Sequence, residues 1–429
     1  MDEELLKAVV SGDVEFLKKC EESNKPIDYY LTFVPQSSDE NDDVRGNIFH
    51  IAAYNNREDF IREAIRILPS EDTQKLLLQT REPFNANPLH VAGDNGNVEI
   101  VKMFLNVYRC LPSLPSDISK RPWLLKNSEG NSPCQSTVYG FHEECALEML
   151  KTDMELISNM TSERDSSLLY EVVHNKLSKL ALEMLSSPHS FPCNGNDGYT
   201  PFHSIHNFNC SEEAKDIFRL LLQRAPEVLK QQTDNGFSIF HLWASGGKLW
   251  PFKHLVESHV IIPNVKEIFA HLVSTTNKYG DNPFHSLTED TSNEEVAIEI
   301  AKLLIDTYKQ VESSAIIEDL LPWLVENNDG DTPLSLAITP QYEKFALYIL
   351  SIDENAVIKS QNNVLFLAIE NGCYKVAQKI LKIVDDNGWN QLLTNHHHNV
   401  LHLAPLCTSE SASLSILLTN TACLKCNIV

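Results

Sequence analysis

The sequence is poor in the features that membrane, secreted and nucleic-acid-binding proteins need. It contains no apolar run near the roughly 18 residues of a membrane-spanning helix. Its 35 Lys and Arg are outnumbered by 59 Asp and Glu, which gives a formal charge of −24, so most of the surface should repel a phosphate backbone. The start, MDEELLKAVV, is acidic where a secretory signal is basic. We therefore expect a cytoplasmic protein that does not bind nucleic acid.

Motifs of the common enzyme classes are also missing. The chain has no Gly-x-x-x-x-Gly-Lys, Gly-x-Gly-x-x-Gly, His-Glu-x-x-His or Gly-x-Ser-x-Gly segment, which argues against an enzyme. The run His396-His397-His398 has no carboxylate or cysteine at a ligand spacing beside it, and the pair Cys423 and Cys426 lacks the second pair of a zinc site. The 10 cysteines are scattered through predicted helices, which is typical of reduced thiols. We expect neither a metal nor a cofactor.

What the sequence does contain is a recurring helical pattern, clearest in FNANPLHVAGDNGNVEIVKMFL at residues 84–105. Pro88 suits the first turn of a helix, where no N–H is needed. Gly96 suits a left-handed turn that ends the helix. Ile100, Val101, Phe104 and Leu105 form the apolar stripe of a second helix.

The same pattern returns along the whole chain, and it resembles the ankyrin repeat. With His90 as reference, the spacings between equivalent positions are 44, 40, 45, 35, 33, 38, 44, 50, 31 and 36 residues, against a typical period of about 33. The excess predicts long loops. The fold class is thus an all-α ankyrin-repeat solenoid of about eleven helix-turn-helix units, with reference positions at Leu6, His50, His90, Gln135, Tyr170, His203, His241, His285, Ser335, Phe366 and His402.

The repeats divide the chain into four parts. Residues 1–24 form an N-terminal capping repeat, residues 25–185 hold repeats with an acidic and a Pro-rich loop, residues 186–418 hold more regular repeats, and residues 419–429 are a tail with cysteines. The repeats around Gln135 and Tyr170 depart most from the pattern, so they are predicted to be the least stable.

Three phrases, Asn87-Pro88-Leu89-His90, Asn328-Asp329-Gly330-Asp331-Thr332-Pro333-Leu334 and Leu76-Leu77-Leu78-Gln79-Thr80, resemble the plant ankyrin family typified by accelerated-cell-death and salt-tolerance regulators. Members commonly continue into a C-terminal hydrophobic membrane domain, whereas this sequence stops at Val429, so the membrane roles of the family are not carried over. The resemblance implies defence or stress signalling through protein contacts.

The residues proposed for partner binding lie in the turns and near two tryptophans. An adaptor would present a concave surface to a protein partner, and acidic turn residues would favour a basic one, with the predicted contacts at Asp197, Asp234, Trp243, Trp250, Asp281, Asp329 and Asp331. The histidines at the reference position are interpreted as structural hydrogen-bonding groups of the repeat, namely His50, His90, His203, His241, His285 and His402.

Two alternatives remain open. The groove near Trp243, Trp250 and His241 could bind or transform a small molecule, with His241 or Tyr279 as acid and base, or the tryptophans could simply enlarge the core. Alternatively, the chain is a soluble or lipid-anchored form of a membrane-regulatory protein, because Cys426-Asn427-Ile428-Val429 loosely fits a prenylation site. Peripheral association with the plasma membrane would then depend on that modification or on a partner.

Overall fold

The computed structural model describes residues 1–32, 45–111, 114–154, 166–262, 264–289, 293–310, 321–339, 342–360 and 363–386. Within these ranges the protein consists of α- and 3₁₀-helices, turns and irregular segments, with one isolated β-bridge between Arg81 and Ala86. The predicted all-α ankyrin-repeat fold is confirmed. No helix in the described ranges is both long and apolar enough to cross a membrane.

The chain divides into two compact units, of which the first comprises residues 1–196 and 211–220. It contains five pairs of helices and one additional helix, α5 (Ser70–Leu78). First helices pack on first helices of the next pair, and second helices on second helices. The pairs are α1 (Glu3–Ser11) with α2 (Val14–Glu22), α3 (Ile48–Tyr54) with α4 (Glu58–Ile67), α6 (Pro88–Asp94) with α7 (Val98–Arg109), α8 (Pro133–Tyr139) with α9 (Glu143–Thr152), and α10 (Leu168–His174) with α11 (Ser178–Ser186).

The second unit comprises residues 197–210 and those from 221 onwards. It contains α12 (Pro201–Ser204), whereas α13 (Glu212–Arg224) is divided after Leu220 and its first part groups with the first unit. The helix pairs of the second unit are α14 (Ile239–Ser245) with α15 (Leu249–Glu257), α17 (Pro283–Ser286) with α18 (Glu294–Lys309), α19 (Pro333–Ile338) with α20 (Glu343–Ile352), and α22 (Val364–Glu370) with α23 (Tyr374–Asp386). Helices α16 (Val265–Ser274) and α21 (Ala356–Lys359) lie between pairs. Part of the extra length between repeats is therefore helical and not only loop.

The starts of the first helices follow directly from the sequence. Asn87 caps α6 through its side chain, which accepts from His90 N at 3.0 Å, and Pro88 takes the first helical position. The same geometry recurs where serine or threonine replaces asparagine, as at Ser132 and Thr332. In α1 the cap is Asp2, so the position equivalent to His90 is the buried Leu5. The sequence-based choice of Leu6 was wrong by one residue.

The turn between the two helices of a pair needs a left-handed residue. Gly12, Gly96 and Gly372 supply it with φ of 77°, 67° and 76°. Three pairs use other residues there, Asn56 at φ 56°, Phe141 at φ 60° and Lys176 at φ 62°. This conformation costs an L-residue roughly 1–2 kcal/mol, and asparagine tolerates it better than most. The Phe141 and Lys176 turns belong to the pairs α8–α9 and α10–α11, the repeats that depart most from the pattern.

Candidate functional site

The repeat histidines connect neighbouring repeats. The ring Nε2 of each donates to a main-chain carbonyl in the next turn along the chain, because a carbonyl can only accept. The Nδ1 atom accepts the N–H of the helix cap, as in Ser238 N to His241 Nδ1 at 3.0 Å. The Nε2 bonds join His50 to Ala86 O (3.0 Å), His90 to Asn131 O (3.0 Å), His203 to Phe237 O (3.3 Å), His241 to Asp281 O (2.8 Å) and His285 to Asp331 O (3.2 Å).

Burial keeps these imidazoles neutral. It lowers the pKa of His50 to about 3 and the pKa values of His90, His203 and His241 to about 4. Burial also lowers the pKa of His285. Since both ring nitrogens of His241 are engaged and the side chain is fully buried, it is unavailable as the acid or base of a groove. The hypothesis that assigned it that role is wrong.

The turns of the second unit form a hydrogen-bonded series. Asp234 N donates to Asp197 O at 2.8 Å, Lys278 N to Asn235 O at 3.0 Å, and Asn328 N to Tyr279 O at 2.9 Å. The turns at residues 277–281 and 327–331 are also closed internally: Asn277 Oδ1 accepts from Tyr279 N and Asp281 N at 2.8 and 2.9 Å, and Asn327 Oδ1 accepts from Asp329 N and Asp331 N at 3.0 and 2.9 Å. These bonds hold the turns at fixed positions beside one another.

The predicted acidic contacts fall into two groups in this series. The side chains of Asp197, Asp234 and Asp329 are exposed. Asp281 is half-buried and accepts from Asn327 Nδ2 at 2.7 Å, and Asp331 is half-buried and accepts from Ser335 Oγ at 3.1 Å. The first three are therefore available to a partner, whereas the last two already brace the turns.

Trp243 is part of the core. Its ring is completely buried, packs against Phe240 and Phe252 at centroid distances of 5.5 and 5.3 Å, and donates Nε1–H to Phe202 O at 2.9 Å. The prediction that it anchors a partner is wrong, because no surface of it is accessible. Trp250 is half-buried, with its Nε1–H donated to Phe208 O at 3.2 Å. Trp243 enlarges the core, as the alternative interpretation proposed, whereas the partner contact at Trp250 stays a prediction.

The first unit contains a feature that the sequence did not reveal, a cleft of about 460 Å³ between the turns and the first helices. We name it the Asp94 cleft. It is lined by Arg81, Phe84, Ala86, Val91, Asp94, Asn127, Glu129, Asn131, Ser136, Tyr139 and Gly140. Two of its walls are exposed aromatic rings, Phe84 at 50% and Tyr139 at 39% exposure.

Asp94 is the last residue of α6, and it sits at a position that neighbouring repeats fill with aromatic rings. The equivalent last residues of α3 and α8 are Tyr54 and Tyr139, and these helices pack on either side of α6. Arg81 lies over the Tyr54 ring, 5.5 Å from its centroid. Aligning the last residues of the first helices would have shown this row in the sequence.

The Asp94 side chain is exposed to water, but nearby protein atoms partly desolvate its carboxylate. That desolvation raises the pKa of Asp94 to about 6, although Arg81 and His142 act in the opposite direction. Glu129, which is exposed, adds a second negative charge to the cleft. The cleft thus combines two carboxylates with two aromatic faces.

The remaining features of the sequence analysis are the candidate metal ligands, the last repeat histidine and the cysteines of the tail. No group of three His, Cys, Asp or Glu side chains suited to a metal occurs in the described part of the chain. The segment His396-His397-His398, the reference residue His402, and the tail cysteines Cys423 and Cys426 all lie outside it.

Comparison with known proteins finds a likeness among solved structures. No protein-family model and no curated protein matches the sequence. Among solved structures, the chain is similar to the ankyrin repeat domain of Bcl-3, described as a unique member of the IkappaB protein family, at 16% identity and a TM-score of 0.40. The match covers 61% of this chain and 99% of that domain.

Proposed function

We propose that this ankyrin-repeat protein is an adaptor that binds a basic segment of a protein partner on the face formed by its turns and first helices. Ankyrin repeats generally present such a face to protein partners. The observation that carries the proposal is the hydrogen-bonded turn series of the second unit, which holds the exposed carboxylates of Asp197, Asp234 and Asp329 at fixed positions.

Fixed turns favour binding because little conformational entropy is lost when the partner docks. The main-chain bonds between turns do not involve these three carboxylates, so the acidic side chains are available to bind a partner. Together with the formal charge of −24, they would speed the approach of a basic surface and make the association rate fall with salt. A phosphate backbone would be repelled.

The biological setting is proposed from the motif resemblance alone. We place the protein in the cytoplasm, in plant defence or stress signalling. Membrane contact would come through a partner or through a lipid on Cys426. Mass spectrometry of protein isolated from its native cell tests the lipid: a tail mass without a prenyl group rules that route out.

The adaptor proposal is tested by capture with matched charge variants of the full chain. One variant carries Asp197→Asn, Asp234→Asn and Asp329→Asn. The control removes the same charge from exposed second-helix positions with Asp59→Asn, Glu99→Gln and Glu212→Gln. We expect the wild type and the control to retain a basic protein that salt releases, and the turn variant to lose it. Equal retention by all three would overturn the role of the turns.

A further inference from the structure

We propose that the Asp94 cleft is a specificity site that accepts one cationic side chain, arginine or lysine, from the bound protein segment. This inference rests on the proposed function and adds to it the chemistry of the residue that is recognised. It concerns a site in the first unit, whereas the residues that motivated the adaptor proposal belong to the second unit, so it can fail while that proposal stands.

The size of the cleft suits a side chain rather than a folded surface. Pockets for compact ligands are about 300–1,000 Å³, and this one is about 460 Å³. Its lining includes the buried apolar residues Ala86 and Val91, which suit the methylene stem of a long side chain. Its lining carboxylates, Asp94 and Glu129, would meet the charged end of such a chain.

The charges of the cleft select a cation. Asp94 and Glu129 outnumber the Arg81 guanidinium, which also lines the cleft and lies 5.5 Å from the centroid of the Tyr54 ring. In the described part of the chain the Asp94 carboxylate accepts no hydrogen bond, and its main-chain oxygen is bonded to His142 Nε2 at 2.9 Å. An incoming guanidinium or ammonium group would donate a charge-assisted hydrogen bond to this carboxylate.

The aromatic walls strengthen the same preference. Phe84 and Tyr139 line the cleft and remain 50% and 39% exposed. The face of an aromatic ring attracts a cation through its negative charge density. An anionic side chain would meet two carboxylates against one guanidinium, so it is disfavoured.

Protonation of Asp94 gives the site a pH dependence. The groups that face this carboxyl are Arg81, His142 and Glu129. Because the pKa of Asp94 is about 6, a fraction of the carboxyl is protonated when the pH falls below that value, and the attraction for a cation weakens. A bound cation would lower this pKa again.

The test uses the full chain and fluorescent Gly-Ser peptides with a single central residue, either arginine or citrulline, which has nearly the same shape without the charge. Binding is measured by fluorescence anisotropy at low salt, for the wild type, Asp94→Asn, Phe84→Ala and the control Asp59→Asn. We expect the arginine peptide to bind the wild type and the control about equally. We expect Asp94→Asn to weaken that binding by about tenfold, and the citrulline peptide to bind every protein weakly.

Two results would overturn the inference: equal binding of the arginine and citrulline peptides, or arginine binding that Asp94→Asn and Phe84→Ala leave unchanged. If the turn variant of the adaptor test weakens arginine binding while Asp94→Asn does not, the adaptor proposal survives and the cleft is not its specificity site. Thermal unfolding of Asp94→Asn near neutral pH should occur at or above the wild-type temperature, because the raised pKa of Asp94 means that the folded chain disfavours its charged form.

Discussion

At the scale of single residues, the buried histidines couple the stability of the repeats to pH. The unfolded chain takes up protons on these imidazoles below about pH 6.5, whereas the folded chain does so only near pH 4 for His90, His203 and His241. Unfolding is therefore favoured as the pH falls from about 6.5 toward about 4. The stability is fully present above that window.

Replacing one histidine should reduce this pH dependence. Each buried imidazole makes the free energy of unfolding fall by about 1.4 kcal/mol for every pH unit by which the pH drops inside this window. We expect His90→Gln to unfold at a lower urea concentration than the wild type near neutral pH, and to lose less stability than the wild type between about pH 6.5 and about pH 5. Equal losses for both proteins across that range would contradict the proposed neutral state of His90.

Gln135 provides the reverse experiment. It occupies the histidine position of α8, and its Oε1 accepts from Ser132 N at 3.1 Å, as Nδ1 does elsewhere. Its buried Nε2 has no partner among the described residues. We expect Gln135→His to raise the unfolding free energy by about 1 kcal/mol near neutral pH, because the Nε2–H of the histidine would donate to the turn before α10. We expect Gln135→Ala to lower the unfolding free energy. Urea unfolding measures both, and a gain from alanine would contradict the explanation.

The tryptophans show where single-residue prediction failed. Tryptophan is uncommon in such helices, which favoured Trp243 and Trp250 as partner contacts. Composition does not determine, however, whether a ring faces the core or the solvent. Full burial of Trp243 means that Trp243→Ala would create a large cavity, at a cost of roughly 3–5 kcal/mol. A binding loss in that variant would report damaged packing, so exposed residues are needed to test binding.

At the scale of helices, the sequence predicted starts and turns well. First-turn prolines are local signals, so α6 begins at Pro88 as predicted, and α8, α12, α17 and α19 likewise begin at a proline. Helices α5 and α16 were not predicted, because they lie in the extra length between repeats and have no motif to mark them. The Asp94 cleft was missed for a related reason: its residues come from two stretches, 81–94 and 127–140, that only packing brings together.

The left-handed turn at Phe141 offers an element-scale test. Phe141 has φ 60° and its side chain is 65% exposed, so strain is present without much compensating burial. We expect Phe141→Gly to raise the stability by about 0.5–1 kcal/mol, the left-handed cost less the extra entropy of glycine. Phe141→Ala keeps the strain and should bring no gain. Urea midpoints compare the two, and equal gains would show that strain is not the cause.

At the scale of the whole molecule, stability should vary along the array, because each repeat depends mainly on its neighbours. Pairs α8–α9 and α10–α11 combine an unsatisfied Gln135 amide with strained turns at Phe141 and Lys176. We expect faster amide exchange in residues 133–152 and 168–186 than in residues 88–109. Uniform protection over these three segments would contradict this.

The central claim is that a basic segment binds on the turns and first helices, and hydrogen exchange of the full chain tests it most directly. Exchange is followed by mass spectrometry with and without a saturating peptide of several arginines spaced by glycine and serine. We expect slower exchange at the end of α6 and in the turns at residues 127–131, 196–198, 234–236 and 328–330, with α4, α7 and α9 unchanged. Protection confined to those second helices, or no protection at saturation, would contradict the account.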